Sequence, residues 1–186
     1  MRIDRLGDGP YHKGMAGMIR IAVLCLALIG AALTPAFGPA HAQETGSKTG
    51  LPLPRFVSLN KSTVYLRAGP STRYPIRWVY ERLHLPVEVI GEYDNWRKIR
   101  DMDGDEGWIH RALLTGKRHV VIRGREVIVR NKPIEDAAPV AIFEDGVIAE
   151  VHSCGAAWCE IEAQGHKGHA ERALLWGLYA DERLED

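Results

Sequence analysis

The chain has 186 residues with 24 basic and 24 acidic side chains, so it carries no formal net charge at neutral pH. That balance argues against a nucleic-acid partner, whose binding rests on clustered cations that neutralise phosphates. After residue 54 the chain consists of short runs dense in β-branched and aromatic residues, punctuated by turn formers, so short strands are expected with no helix of consequence.

In chain order, the first feature is a leader. Arg20 precedes an apolar run from Ile21 to Leu33, and Ala40-His41-Ala42 closes a stretch of small residues. A positive residue, an apolar core and an A-x-A site are the parts of a secretory signal peptide. The run is shorter than the ~20 residues a membrane span needs. Residues 1–42 are therefore expected to be a cleaved signal, with Met1, Met15 and Met18 as alternative starts. The protein is expected to be periplasmic or secreted, with no stable membrane span after cleavage. The mature chain, from residue 43 onward, keeps 20 of the basic and 22 of the acidic groups.

Residues 43–54 are rich in Gly, Ser, Thr, Lys and Pro without apolar periodicity and read as a flexible leader. The strands predicted next are 63–67, 76–80, 87–91, 96–100 and 107–110. They are separated by turn-forming segments such as Glu92-Tyr93-Asp94-Asn95 and Asp101-Met102-Asp103-Gly104-Asp105. Ile76, Trp78 and Tyr80 alternate with Arg77, Val79 and Glu81, the period-2 pattern of a half-buried strand. Leu66, Val87, Val89, Ile99 and Ile109 are the expected barrel core.

The series then repeats. Val64-Tyr65-Leu66-Arg67-Ala68-Gly69-Pro70 returns as Val127-Ile128-Val129-Arg130-Asn131-Lys132-Pro133. Trp96-Arg97-Lys98-Ile99 returns as Trp158-Cys159-Glu160-Ile161, and Arg111-Ala112-Leu113-Leu114 as Arg172-Ala173-Leu174-Leu175. Second-copy strands are predicted at 127–130, 140–144, 147–152, 158–163 and 168–171. The domains are accordingly 55–116 and 117–178, with an acidic tail at 179–186 and a short helix expected somewhere in 170–186. Only Thr115-Gly116-Lys117-Arg118 separates the copies, so they should be packed or closely tethered. From 55 to 118 there are 12 basic and 8 acidic groups, and from 119 to 186 there are 7 and 13. The first copy is positive and the second negative, a distribution that could steer the two together or aim the first at an anionic surface.

Cys154 and Cys159 are the only cysteines beyond the signal, and export favours a disulfide between them. They align with Glu92 and Arg97 of the first copy, so one hairpin would carry an exposed ion pair where the other carries a covalent bond. A competing reading is a zinc site of Cys154, Cys159, His166 and His169, whose C-x4-C-x6-H-x2-H spacing suits tetrahedral ligation. Calcium at the Asp103-Gly104-Asp105 turn is a remote third option. Ser58, Ser62, Ser71 and Ser153 lack a nucleophile motif such as G-x-S-x-G, so no catalytic residue and no cofactor are predicted.

The residues Val64-Tyr65-Leu66-Arg67-Ala68-Gly69-Pro70-Ser71, Asn95-Trp96-Arg97-Lys98-Ile99 and Gly104-Asp105-Glu106-Gly107-Trp108-Ile109 resemble the three motifs of bacterial SH3-like (SH3b) domains. The resemblance implies an all-β fold of two tandem SH3-like small β-barrels, the second divergent because it has Asn131 for Gly69 and His169 for Trp108. It also implies a non-catalytic envelope module that recognises peptidoglycan or its peptides, with a protein–protein scaffold in the envelope as the alternative. Candidate ligand-binding residues are Tyr65, Arg67, Arg73, Tyr74, Trp78, Tyr80 and Trp108, with Arg67 also open to a structural role.

Overall fold

The structure, a computed structural model, describes residues 44–185. The signal peptide expected over 1–42 lies outside the described residues. The described chain is all-β, and its helical turns are two 3-10 segments, Arg111–Leu113 and Arg172–Leu174. The helix expected in the tail is only the second of these, because Gly177 adopts a positive φ of 120° and turns the chain away.

The first barrel consists of β1 (Arg55–Leu59), β2 (Val64–Arg67), β3 (Ile76–Tyr80), β4 (Pro86–Tyr93), β5 (Trp96–Arg100), β6 (Glu106–His110) and β7 (Leu114–Thr115). The second repeats it with β8 (His119–Ile122), β9 (Val127–Arg130), β10 (Pro139–Phe143), β11 (Ile148–Cys154), β12 (Trp158–Ala163), β13 (His166–Glu171) and β14 (Leu175–Trp176). Each forms one antiparallel seven-stranded sheet, ordered β3-β2-β6-β5-β4-β1-β7 and β10-β9-β13-β12-β11-β8-β14. The strands β1, β7, β8 and β14 were not among those expected. Ser58 in β1 is buried at the seam, on the face opposite Val57 and Leu59, and this polar residue breaks the apolar run that would have marked the strand.

Both cores are built from the inward rows of these strands. Leu66, Val87, Val89, Ile99 and Ile109 are fully buried as expected, together with Leu59 and Val64. Gly107 allows the close approach of β2, since a Cβ there would lie 2.6 Å from Leu66 Cγ and 2.8 Å from the Arg67 carbonyl oxygen. Gly168 repeats this against Arg130.

The flexible leader expected over 43–54 is instead folded against the first barrel from residue 44 onward. Leu53 is buried in that core, and Glu92 at the end of β4 draws in the rest. Its carboxylate accepts hydrogen bonds from the Lys48 and Thr49 backbone N–H groups (3.0 Å each), from Thr49 Oγ1 (2.7 Å) and from Arg55 (2.8 Å). Glu92 also pairs with Arg97 at 3.4 Å, directly opposite in register. The expectation of an exposed ion pair is corrected here: the Glu92 side chain is fully covered, and Arg97 is buried with its guanidinium on the Asp94 and Trp96 carbonyls. Burial alone would raise the Glu92 carboxyl, but the hydrogen bonds from Thr49, Arg55 and the two backbone donors outweigh it and hold the group down to about 2.

At the equivalent register of the second barrel, Cys154 faces Cys159 and the two form the expected disulfide, with Cα atoms 4.1 Å apart. The tail expected to fray is docked beside it. Leu184 exchanges backbone hydrogen bonds with Cys154 (2.8 and 3.3 Å), and Leu178 and Leu184 pack on the second core.

The barrels share a seam. Phe56 of β1 meets Trp176 edge-on at 5.2 Å and Tyr179 at 4.8 Å, with the Arg118 guanidinium 5.9 Å from its ring centre. The Tyr179 hydroxyl donates to Glu88 of the first barrel at 2.8 Å, and burial followed by that bond raises the phenol. Val121 of β8 is buried in the first barrel's core rather than its own. Ser58 Oγ donates to the Lys117 carbonyl (2.8 Å), which leaves it to accept from His119 Nδ1 (3.0 Å). His119 stacks on His84 at 4.2 Å, and burial, then the neighbouring imidazole, lower its pKa.

The two hairpin ends can each be tested. Replacing both Cys154 and Cys159 with Ser should cost roughly 2 kcal/mol in the chain-entropy account of a short closed loop, read as a lower denaturant midpoint. For Glu92 the folded pKa lies below the unfolded value near ~4.3. Its stabilisation is therefore complete above that value and disappears as pH falls through the folded one. The Lys48 and Thr49 amides should lose exchange protection between about pH 4 and about pH 2, and Glu92→Gln should weaken the same protection at neutral pH.

Candidate functional site

The residues singled out in the sequence lie around one edge of the first sheet, but not on one wall. Strand β3 pairs only with β2, so its other side is unpaired in the sheet. Tyr65 lies opposite Val79 and Leu66 opposite Trp78, which puts Tyr65 and Val79 on one face and Trp78 on the other. The first four residues of β3 are exposed, with Trp78 at 56 %. The half-buried alternation expected for this strand is thus limited to its last residue: the core stops at Tyr80, and the edge beyond has nothing packed on it.

Tyr80 is a correction. It is only 6 % exposed and donates its hydroxyl to Asp101 Oδ2 at 2.8 Å. Burial and then that bond raise its pKa. Asp101 Oδ1 in turn accepts from the Asp103 and Asp105 backbone N–H groups at 3.0 and 2.9 Å. This acidic turn is organised from inside by a tyrosine, so Tyr80 is a buried support of the fold rather than part of the exposed edge.

Arg67 is also committed. Its Nη1 donates to the Thr72 and Tyr74 carbonyls at 3.1 and 2.9 Å, closing the loop between β2 and β3. Arg130 does the same in the second barrel, on the Ala137 carbonyl at 2.8 Å. The loop it closes carries Arg73 and Tyr74, both exposed. Gly69 supports the loop through a close approach rather than an unusual backbone angle. It has no positive φ, but a Cβ there would lie 2.7 Å from the Tyr74 ring, which packs directly on the glycine.

Trp108 is half-buried and in register with Arg67 and Lys98 on the outer face, with Tyr93 edge-on at 6.5 Å. Lys98 pairs with Glu106 at 2.6 Å, and Arg100 bridges Glu106 and Glu88 at 2.8 and 3.3 Å. The outer face therefore combines Tyr65, Trp108 and Tyr93 with neutralised charges. In the second barrel the same edge is aliphatic, with Ile128, Val140 and Ile142 exposed.

The disulfide removes both thiolates from the proposed zinc set of Cys154, Cys159, His166 and His169. Among the described residues no group of three or more His, Cys, Asp or Glu is placed to hold a metal ion. His169, in the place of Trp108, has a buried Nδ1 without a partner among the described residues.

Comparison with known proteins agrees with this geometry. The bacterial SH3 domain family matches twice, over 60–116 and 123–177, which is more than half of the chain. This chain belongs to the bacterial SH3 domain family. Bacterial SH3 domains are commonly cell-wall binding modules and are typical of extracellular proteins. Among solved structures, NlpC2 from Trichomonas vaginalis is similar at 12% identity and a TM-score of 0.31, with 68% of this chain and 48% of that one covered. NlpC1 from the same organism aligns at 12% identity and 0.31, over 75% of this chain and 51% of that one. The chain thus spans about half the length of each. Among curated proteins none matches. No helix among the described residues is long and apolar enough to cross a membrane.

The clamp role of Arg67 yields a direct check. Arg67→Ala should free the β2–β3 loop, with faster amide exchange at Ser71 and Tyr74. The cost should be about 1–3 kcal/mol for charged hydrogen bonds lost, while the far end of the sheet keeps its protection.

Proposed function

We propose that this protein is a non-catalytic binding module of the bacterial envelope, periplasmic or secreted, that recognises peptidoglycan or its peptides through the first barrel. The observation that supports the reading most is the β3 edge. There Ile76, Trp78 and Val79 are exposed beside Tyr65 and Tyr74, with Arg73 in the adjoining loop. Exposed aromatics on a rigid sheet supply contact area at low entropic cost, and an Arg beside them can meet a carboxylate. Stem peptides and sugars offer both kinds of group. The exposed edge of the second barrel is aliphatic, which favours the first barrel as the one that recognises a ligand.

One observation favours a second reading, a protein–protein scaffold. An unpaired β3 can accept a partner strand by backbone hydrogen bonding, with side chains of alternate residues held on its two faces.

Co-sedimentation with purified, protein-free sacculi tests the first reading. The wild-type chain should pellet, and Trp78→Ala, folded by near-ultraviolet circular dichroism, should lose about tenfold or more in affinity, as an anchoring aromatic does. Wild-type protein left in the supernatant at both low and moderate salt would overturn wall binding and leave the envelope-protein reading.

A further inference from the structure

The duplication places matching residues around a cleft at the opposite edge of each sheet from β3. From the strand registers, Arg55 corresponds to Arg118, Glu92 to Cys154, Arg111 to Arg172, Ala112 to Ala173 and Leu114 to Leu175. In the second barrel these residues hold a passing segment of the chain itself. Arg118 donates to the Gly177 carbonyl (2.8 Å) and pairs with Glu182 (2.5 Å). Arg172, buried, donates to the Gly155 and Tyr179 carbonyls. Leu178 lies on the core, and Leu184 pairs with Cys154. The tail is thus bound as a peptide that turns once, between Tyr179 and Glu182, held by two arginines, a leucine socket and one backbone pair.

In the first barrel only part of this arrangement is filled. The leader takes the place of Leu184, at Glu92. Nothing among the described residues takes the place of Leu178 and Tyr179, because after Thr115 and Gly116 the chain runs straight into β8. What remains is a cleft of about 470 Å³, lined among others by Arg55, His110, Arg111, Ala112 and Leu114. Arg111 is exposed, and its guanidinium has no hydrogen bond or ion pair among the described residues, whereas its counterpart Arg172 is fully engaged. The lining contains Arg55, Arg97, Arg111 and His110 and no acidic side chain, and since Arg55 and Arg97 share Glu92, Arg111 is the cation that leaves it positive. In the second barrel the tail does not fill the corresponding cleft but walls it with Leu178 and Ala180, covering the side that Arg55, Val57 and Val89 leave open in the first, and the lining there includes Glu135 and Glu171.

We propose that this cleft of the first barrel binds an acidic peptide of a partner protein, in the position and with the single turn that residues 178–184 take on the second barrel. A leucine or similar side chain enters over Leu114 and Ala112, and Arg111 donates to the peptide carbonyl that follows it. A nearby carboxylate is attracted by the positive lining. None of the residues lining this cleft belongs to β3, so its occupancy is independent of wall binding through Trp78.

The probe is a fluorescein-labelled peptide with the sequence of residues 177–185, titrated into the full chain and followed by fluorescence polarisation. Saturable binding is expected, weakened about tenfold or more by Arg111→Ala, which is exposed and leaves the barrel folded. A peptide with both leucines replaced by serine should not bind. Absence of saturable binding up to about 1 mM, a few kcal/mol of affinity, overturns the proposal. Equal affinity for Arg111→Ala also overturns it, since the peptide would then have displaced the chain's own tail from the second barrel. A dimer that the free peptide disperses assigns the cleft to the tail of a second copy and overturns the partner assignment. Arg111→Ala should pellet with sacculi at the wild-type level, so a failure of peptide binding and a failure of wall binding are read separately.

Discussion

The register at the tip of the long hairpin in each barrel governs most of what surrounds it. Residue 92 faces 97, and residue 154 faces 159. At that point the two copies solve one problem with different chemistry. A barrel of about 60 residues buries little surface and needs cross-bracing. In the second copy a covalent bond closes the tip, and its backbone is then free to pair with Leu184. In the first copy the brace is a carboxylate, which has lone pairs to spare after meeting Arg97. Those lone pairs gather Arg55 and the segment at 48–49. The ends of the described chain are therefore attached at the same place on successive copies, one by a charge and one by a strand bridge.

The seam follows from the same economy. Neither copy has apolar area to spare, so β8 lends Val121 to the first core, and Phe56 is covered by Trp176 and Tyr179. Buried polar groups along the seam are satisfied in a chain from His119 to Ser58 to the Lys117 carbonyl. These contacts fix how the exposed β3 edge and the aliphatic β10 edge are presented, because both barrels belong to one packed unit.

Much of the fold was legible in the sequence. The repeated Arg, Trp and Arg-Ala-Leu-Leu positions, the period-2 runs and the Asp/Gly turns located five strands per copy and the core rows. The pairing of Cys154 with Cys159 was legible from their being the only cysteines beyond the expected signal, and its equivalence to Glu92 and Arg97 from the alignment of the two halves. What escaped was set by tertiary contacts. The strand β1 carries a polar Ser58 that is buried only by the second barrel, and the segment at 44–54 looks unstructured because its partner Glu92 is about 40 residues away. The candidate site was half legible: residue types marked the β3 edge, but composition did not tell a buried Tyr80 bound to Asp101 from an exposed Trp78 on the same face, where the core has already ended. The cleft at Arg111 was not anticipated, since its meaning comes from comparing it with an occupied copy.

Val121 carries an evolutionary consequence. Duplicated modules joined by a linker can be shuffled between genes, since each copy folds on its own terms. Here a side chain from the second copy completes the interior of the first, while Tyr179, beyond the repeat, reaches back to Glu88. A recombination event with its breakpoint near residue 118 would therefore leave a hole in one product and an uncovered phenylalanine beside it. The heritable unit is the pair, and relatives of this arrangement should gain or lose both copies together.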